Sequence, residues 1–262
     1  MTLSHDLRGS GEPLVLIHGI GHHWQAWLPL LAPLNEAGFQ TVAIDLPGFG
    51  ASPPLPDGQT PTIAALTRAV GSFLDELGLT EAHLVGNSMG GAIALELASA
   101  GRARSVSAIS PVGFWSRRER VFCQVSLRET FGLVGRWPDP ISRVASNPLG
   151  RTLLASQICS RPWRTPGEQM RATILAFASS PGFLATLRTF EGYTVGDSPL
   201  LVKTPVTIAW GTRDRLLLPR QARRARRVLT HARHVWLPGC GHAPMWDDPE
   251  LVAGTILSGA RH

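Results

Sequence analysis

The chain is 262 residues long, 44% hydrophobic and 17% charged, and carries a formal net charge of +6. A chain of this length can bury a sizeable core without disulfides or metal ions, and its composition is typical of a globular protein. No apolar run approaches the roughly 20 residues needed to cross a bilayer, which excludes an integral membrane protein.

Taken in chain order, apolar runs typical of buried strands alternate with amphipathic helical patterns. The predicted strands cover residues 13–17, 40–44, 82–85, 105–109, 206–210 and 234–237. The predicted helices cover residues 27–37, 62–77, 92–100, 219–229 and 249–257. Strands that alternate with helices in this way favour an α/β fold, a mostly parallel, doubly wound sheet with helices on both faces.

The alternation stops at Pro111 and resumes with the strand predicted at 206–210. The intervening segment is helical in character, rich in arginine and aromatic residues, and divided into short helices by prolines. We interpret it as an insertion that covers the carboxyl ends of the strands. The predicted domain organisation is a core in two parts, residues 1–111 and 197–262, with a helical cap at residues 112–196.

The charge is divided unevenly along the chain. Residues 1–100 carry two arginines against nine acids, a net charge of −7, and residues 101–262 carry 23 basic residues against ten acids, a net charge of +13. The densest basic cluster has five arginines spread around the helix predicted at 219–229. We interpret this cluster as a solvated helix face, with a patch for nucleic acid or anionic lipid as the alternative.

Three features bear on where the protein acts and on what: its cysteines, its first residues, and the basic helix face described above. Cys123, Cys159 and Cys240 are widely spaced and odd in number, which favours reduced thiols over a disulfide framework. The first residues lack a basic segment followed by an apolar one, so no signal peptide is expected. We therefore expect a cytoplasmic protein whose partner is a small molecule and not nucleic acid, and the sequence leaves the oligomeric state open.

The most informative segment joins the strand predicted at 82–85 to the helix that follows it. Almost no loop separates the two, so the chain must pass through a strained backbone position at Ser88. Gly86 and Gly90, two residues to either side, remove the side chains that would collide in such a turn. The Ser88 hydroxyl then stands at the start of a helix, where free N–H groups favour negative charge. This Gly-x-Ser-x-Gly pattern, with a strand before it and a helix after it, predicts a nucleophilic serine.

A serine hydroxyl needs a base to take its proton, and that base must itself be oriented. His242, just beyond the last predicted strand, is the candidate base, and Asp214, just beyond the preceding strand, is the candidate orienting acid. With Ser88, both follow the carboxyl ends of parallel strands, where open α/β sheets place their sites. The alternatives are a surface-loop histidine at 242 and a helix-capping aspartate at 214.

An oxyanion hole needs two N–H donors aimed at the charge that develops on the substrate oxygen. Met89, the residue after the serine, would supply one donor, and Ile20, in the loop after the first predicted strand, would supply the other. We expect His22, Asn87 and Trp115 to border the substrate pocket. This chemistry needs no metal ion and no organic cofactor.

Other polar residues near the strand ends have structural interpretations. We expect His18 to shape the oxyanion loop and Asp45 to hold its own turn, as aspartate commonly does. Asp247 and Asp248 are expected to begin the last helix, where acids favour the helix dipole.

These motifs together resemble the α/β-hydrolase fold with a helical cap, and the resemblance covers nearly the whole chain. The matching segments are Leu-Ile-His-Gly at 16–19, Asp-Leu-Pro-Gly-Phe-Gly at 45–50, Gly-Asn-Ser-Met-Gly-Gly at 86–91, Gly-Thr-Arg-Asp at 211–214 and Gly-His at 241–242. The resemblance implies a sheet of up to eight strands and a cap inserted after the sixth. In one respect the chain departs from this pattern: only about ten residues precede the first predicted strand, so the usual leading antiparallel hairpin must be shortened or partly absent.

The resemblance implies a serine hydrolase that cleaves an ester-like bond through an acyl-enzyme, with Ser88, His242 and Asp214 as its triad. Relatives that act on haloalkanes or epoxides would carry aspartate in place of Ser88. Relatives that cleave carbon–carbon bonds in ring-fission products share the Gly-Asn-Ser-Met-Gly-Gly segment and remain an alternative. Those enzymes need a cap arginine for the substrate carboxylate, and residues 112–196 contain eleven arginines. A receptor that uses the same pocket without catalysis is the remaining alternative.

Overall fold

A computed structural model describes residues 2–196 and 198–261. Its strands are β1 His5–Arg8, β2 Glu12–Ile17, β3 Phe39–Ile44, β4 Ala82–Asn87, β5 Ala103–Ile109, β6 Val206–Gly211 and β7 Arg233–Leu237. They form one seven-stranded sheet in the order β1-β3-β2-β4-β5-β6-β7. β1 runs antiparallel to β3, and the other neighbouring strands are parallel. The predicted mostly parallel α/β fold is therefore confirmed.

The α-helices in these ranges are α1 Leu28–Glu36, α2 Ile63–Glu76, α3 Met89–Ser99, α4 Arg117–Arg136, α5 Pro138–Val144, α6 Pro148–Ala155, α7 Gly167–Ala178, α8 Phe183–Arg188, α9 Pro199–Lys203, α10 Arg220–Val228, α11 Pro244–Asp247 and α12 Pro249–Ala260. Two short 3-10 helices cover Trp24–Trp27 and Pro162–Arg164. None of the helices in the described part of the chain has both the length and the apolar character of a membrane span.

The core lies on both faces of the sheet. In β2, Val15 and Ile17 belong to the cluster that α2 and α3 cover, and Leu14 and Leu16 belong to the cluster that α1 and α12 cover. Successive side chains of a strand point to opposite faces, so a strand covered on both faces must be apolar throughout. This is why the central strands β2 and β4 are largely apolar in the sequence, whereas β7, at the sheet edge, keeps exposed residues.

In place of the expected leading hairpin, the described part of the chain has a single antiparallel strand before β2, namely β1. It pairs with β3 over four residues, from His5 opposite Ile44 to Arg8 opposite Thr41. A strand this short, with exposed residues at its end, carries too little apolar pattern to be recognised from sequence. Because β1 lies at the sheet edge farthest from β6 and β7, it has no part in the site.

Six of the α-helices in the described part of the chain, α4 to α9, lie between β5 and β6. We call residues 112–196 of this connection the inserted segment. The buried carboxylate of Glu119, in the first turn of α4, accepts the backbone N–H of Ser116 at 2.6 Å and forms ion pairs with Arg220 and Arg224 of α10. These contacts fasten the start of the inserted segment to the core. Arg220 and Arg224 thus pair with Glu119 as well as forming part of a solvated helix face, since 61% of the Arg220 side chain remains exposed.

Candidate active site

Ser88 stands at a strained turn between β4 and α3. Its backbone has φ 56° and ψ −116°, in the left-handed region that L-residues rarely adopt. A Cβ on Gly86 would collide with the Gly90 carbonyl, and a Cβ on Gly90 would collide with the Ile17 carbonyl of β2. Glycine at both positions therefore allows the turn to be this tight, and the turn exposes Ser88 to a cavity that its neighbours enclose.

Asp214 and His242 are joined at the carboxyl end of the sheet, one loop after β6 and one after β7. Asp214 Oδ2 lies 2.9 Å from His242 Nδ1, and both side chains are buried. Asp214 Oδ1 accepts the backbone N–H groups of Leu216 at 3.0 Å and Leu217 at 2.8 Å. A carboxylate can only accept, so the imidazole carries its proton on Nδ1, which leaves the Nε2 lone pair available.

Asn87, one of the expected pocket residues, connects the turn at Ser88 to the loop that carries His242. Its side-chain amide donates to the His242 carbonyl at 3.0 Å and to the Ile109 carbonyl at 3.1 Å. It also borders the cavity. Because both amide hydrogens are used inside the protein, Asn87 holds the relative positions of Ser88 and His242, and a substrate can meet only its remaining surface.

The two backbone donors expected for an oxyanion belong to Ile20 and Met89. Ile20 and Ser88 border the same cavity, and Met89 opens α3. Within residues 2–196 and 198–261, neither N–H donates to another protein group. A Cβ on Gly19 would lie 3.1 Å from Ser88 Cβ, so the Ile20 loop runs directly beside the serine.

His18 supports the Ile20 loop, as expected. Its ring is fully buried: Nε2 accepts the Leu46 N–H at 2.9 Å, and Nδ1 donates to the Gly19 carbonyl at 2.7 Å. Burial lowers its pKa to about 3. Asp45 holds its own turn by accepting the Ala51 N–H at 2.9 Å, and it also accepts the Trp24 N–H at 2.7 Å.

A cavity of about 270 Å³ connects these groups. Its base includes Gly19, Ile20, His22, Asn87, Ser88, His242 and Trp246, and its walls come mainly from α4, α5, α6 and α7. The wall residues are mostly apolar: Leu127, Leu133, Val134, Ile141, Leu153, Leu154, Ile158, Met170, Ile174 and Phe177. In the described part of the chain, the residues that border the cavity include no arginine, lysine, aspartate or glutamate.

The other two expected pocket residues, His22 and Trp115, differ in whether they border the cavity. His22 borders the cavity, with its ring against Trp246 and its pKa lowered to about 3 by burial and by the neighbouring histidines. Trp115 does not border it, and its assignment to the pocket needs correction. The Trp115 indole is buried against Phe190, and its N–H donates to the Tyr193 carbonyl at 3.1 Å. It packs between the inserted helices and the core, where an aromatic side chain fills space.

Asp247 is the functional-site residue that the sequence pattern did not reveal. Asp248, as expected, caps α12 by accepting the Leu251 N–H at 3.1 Å. Asp247 instead is buried and accepts three backbone N–H groups: Gly241 at 2.7 Å, Ser160 at 3.0 Å and Arg161 at 2.7 Å. It thus joins the loop that carries His242 to the inserted segment. Two of the three donors, Ser160 and Arg161, lie 87 and 86 residues away in the sequence, so only the fold could reveal this connection.

Comparison with known proteins agrees with this architecture. Residues 14–255 match the profile of the Alpha/beta hydrolase family, so the chain belongs to this family. It is 27% identical over 255 residues, 91% of this chain and 84% of the relative, to a 2-hydroxy-6-oxo-6-phenylhexa-2,4-dienoate hydrolase of Burkholderia cepacia. The structure of a thermophilic esterase from Thermogutta terrifontis superposes with a TM-score of 0.77 at 23% identity, over 99% of this chain and 93% of that one. This last likeness is one of fold.

Two further relatives are longer than this chain. Both are dihydrolipoyllysine-residue acetyltransferase components of acetoin cleaving systems. The protein of Cupriavidus necator is 44% identical over 108 residues, 40% of this chain and 28% of the relative. That of Pseudomonas putida is 29% identical over 253 residues, 95% of this chain and 63% of the relative. The chain therefore spans less than two thirds of either protein.

The buried histidines predict how stability depends on pH. His18 and His22 are neutral in the folded protein, with pKa values of about 3, against 6.5 for an ordinary histidine. The unfolded chain therefore takes up protons first as the pH falls below 6.5, and the folded state loses stability. Between about pH 6.5 and pH 4.5, the free energy of unfolding in urea should fall by on the order of 1 kcal/mol per pH unit for each histidine. His22→Gln should make the fall shallower, and a flat profile in wild type would contradict this assignment.

Asp247 and Asp248 provide a matched pair for the second prediction. Asp247→Asn replaces an acceptor of buried N–H groups with a side chain that also donates, so the free energy of unfolding should fall by about 1–3 kcal/mol. Asp248→Asn should change little, because asparagine caps a helix about as well as aspartate. Urea unfolding of both variants measures the difference. Equal losses would show that Asp247 does not fasten the histidine loop.

Proposed function

We propose that this protein is a serine hydrolase that cleaves a neutral, largely apolar ester through an acyl-enzyme. The observation that carries the proposal is the buried Asp214–His242 pair. Its histidine borders, together with Ser88, a cavity whose described lining includes no arginine, lysine, aspartate or glutamate. Membership of a hydrolase family supports it. The strained backbone at Ser88 also supports it, since such strain is found where function requires it.

In the proposed reaction, Ser88 Oγ attacks the ester carbonyl carbon while His242 Nε2 takes the hydroxyl proton. The imidazolium is stabilised by Asp214, which stays ionised and holds the ring in place through Nδ1. His242 then gives the proton to the departing alcohol, which leaves an acyl group on Ser88. A water molecule gives a proton to His242 and attacks this acyl group. As the acid leaves, His242 passes the proton to Ser88 Oγ and the free enzyme is restored.

Backbone N–H groups would stabilise the oxyanion of each tetrahedral intermediate. Those of Ile20 and Met89 flank Ser88, and Met89 also adds the positive end of the α3 dipole. Such a donor is typically worth about 10²–10³-fold in rate. The hydrogen bonds of His18 keep the Ile20 loop in place without a charge beside the oxyanion, because His18 is neutral.

Residues 112–196 would act as the cap that selects the substrate. Helices α4 to α7 supply most of the apolar wall, and buried Glu119 and Asp247 fasten this segment to the core on two sides. A wall of leucine, isoleucine, methionine and phenylalanine binds an acyl chain or another apolar group by excluding water from it.

The chemistry of the cavity lining favours an ester over a ring-fission product. The hydrolase of Burkholderia cepacia acts, by its name, on a dienoate, which carries a carboxylate. A carboxylate held in an apolar cavity needs a cationic partner, because an unpaired buried charge is costly. None of the described cavity-lining residues is an arginine or a lysine. Carbon–carbon bond cleavage is therefore the weaker candidate.

Kinetics with a neutral p-nitrophenyl acyl ester tests the proposal. Asp214→Asn should lower kcat by about 10⁴-fold, and Ser88→Ala should lower it at least as far, with both variants folded by circular dichroism. Asp75→Asn, at an exposed carboxylate paired with Arg102, is the control and should keep full activity. Hydrolysis that survives Ser88→Ala would overturn the proposal. Turnover of a ring-fission dienoate in preference to the ester would replace it with carbon–carbon bond cleavage.

A further inference from the structure

The inserted helices expose an unusual number of large apolar side chains beside the cavity. We call the following six residues the apolar rim: Leu133, Trp137, Val144, Leu149, Leu153 and Trp163. Leu149 is 84% exposed and Leu153 is 79% exposed. Exposed apolar side chains that are scattered singly are normal on a protein surface, but a cluster of them marks an interaction site. Leu133 and Leu153 also border the cavity, so the rim adjoins its mouth.

The rim residues lie close together. Trp137 follows Leu133 by one helical turn, and its backbone N–H donates to the Leu133 carbonyl at 3.2 Å. Leu149 precedes Leu153 by one turn of α6. Val144 touches the start of α6, where a Cβ on Gly150 would meet its side chain. Trp163 lies beside α6, because its carbonyl accepts a hydrogen bond from Arg151 at 3.3 Å. One apolar surface therefore extends across α4, α5 and α6.

Positive charge surrounds this surface. Residues 133–164 contain five arginines and one acid, Asp139. Arg151 is buried against backbone carbonyls, and Arg161 is paired with Asp248 at 3.7 Å. The other three arginines are exposed and adjoin rim residues in the sequence: Arg136, Arg143 and Arg164. The Arg136 guanidinium lies 5.7 Å from the Trp137 ring centroid.

We propose that the apolar rim docks the protein on an anionic lipid surface, with the cavity mouth facing the lipid. Such a surface offers acyl chains for the leucines, an interfacial layer for the two tryptophans, and phosphate groups for the arginines. A second copy of this chain would bring the same positive charge against itself, which opposes self-association through the rim. The docking surface does not depend on the proposed reaction, because none of its contacts involves Ser88 or His242.

The binding test uses sedimentation of Ser88→Ala protein with vesicles, so that no turnover alters the lipid. Vesicles that mix phosphatidylglycerol with phosphatidylcholine should bind the protein at least about tenfold more tightly than phosphatidylcholine alone, and added salt should weaken the binding. The pair Trp137→Ser and Leu149→Ser, at positions that do not border the cavity, should reduce it at least about tenfold. The matched pair Trp236→Ser and Leu7→Ser, at exposed positions on β7 and β1, should leave it unchanged.

A charge-matched pair separates the rim from the other basic surface of the molecule. Arg136→Gln with Arg143→Gln should weaken vesicle binding, and Arg226→Gln with Arg227→Gln, on α10, should not. Loss of binding with the α10 pair alone would overturn the proposal, as would absence of binding to the anionic vesicles. Gel filtration tests the remaining alternative, that the rim joins two copies of this chain. If wild type is a dimer and Trp137→Ser with Leu149→Ser makes it a monomer, the rim is an interface between copies and the lipid proposal fails.

Discussion

The turn from β4 into α3 is the constraint on which the site depends. There the backbone passes from strand to helix through one residue, Ser88, in a left-handed conformation. This conformation persists because the neighbouring backbones leave room for hydrogen only: Gly86 faces the Gly90 carbonyl, and Gly90 faces the Ile17 carbonyl. Packing against β2 and β5 over-determines the turn, so the strain is held by the whole sheet. The position of Ser88 is therefore fixed by close backbone packing on both sides of the turn.

The other groups of the candidate site lie at the same edge as Ser88 because parallel strands end there together, and His242 borders the same cavity as Ser88. Asp214 follows β6 and His242 follows β7, and Asn87 ties the histidine loop to the turn through two carbonyls. Asp247 extends the same network to the inserted segment by accepting N–H groups from both sides. Each connection uses a buried polar side chain with its hydrogen bonds satisfied, which favours one arrangement over many. The cavity wall and the site base are thus held in register.

Much of this arrangement could be predicted from the sequence, and the exceptions share a cause. The six parallel strands could be predicted because their central residues are largely apolar, and Ser88, Asp214 and His242 could be proposed because each follows a predicted strand. β1 could not be predicted, since four partly exposed residues at a sheet edge carry no distinct hydrophobic pattern. Other features depend on contacts between distant segments: the pairing of Glu119 with α10, the link from Asp247 to Ser160 and Arg161, and the packing of Trp115. Local pattern does not encode such contacts.

The central claim is that Ser88 is an activated nucleophile, and covalent labelling tests it most directly. A fluorophosphonate reacts with a serine only where a base and an oxyanion hole assist the attack. Peptide mass spectrometry of the labelled protein should find one modified residue, Ser88, and Asp214→Asn should slow the labelling by orders of magnitude. Absence of label on the folded protein, or label at another serine with Ser88 unmodified, would contradict the account.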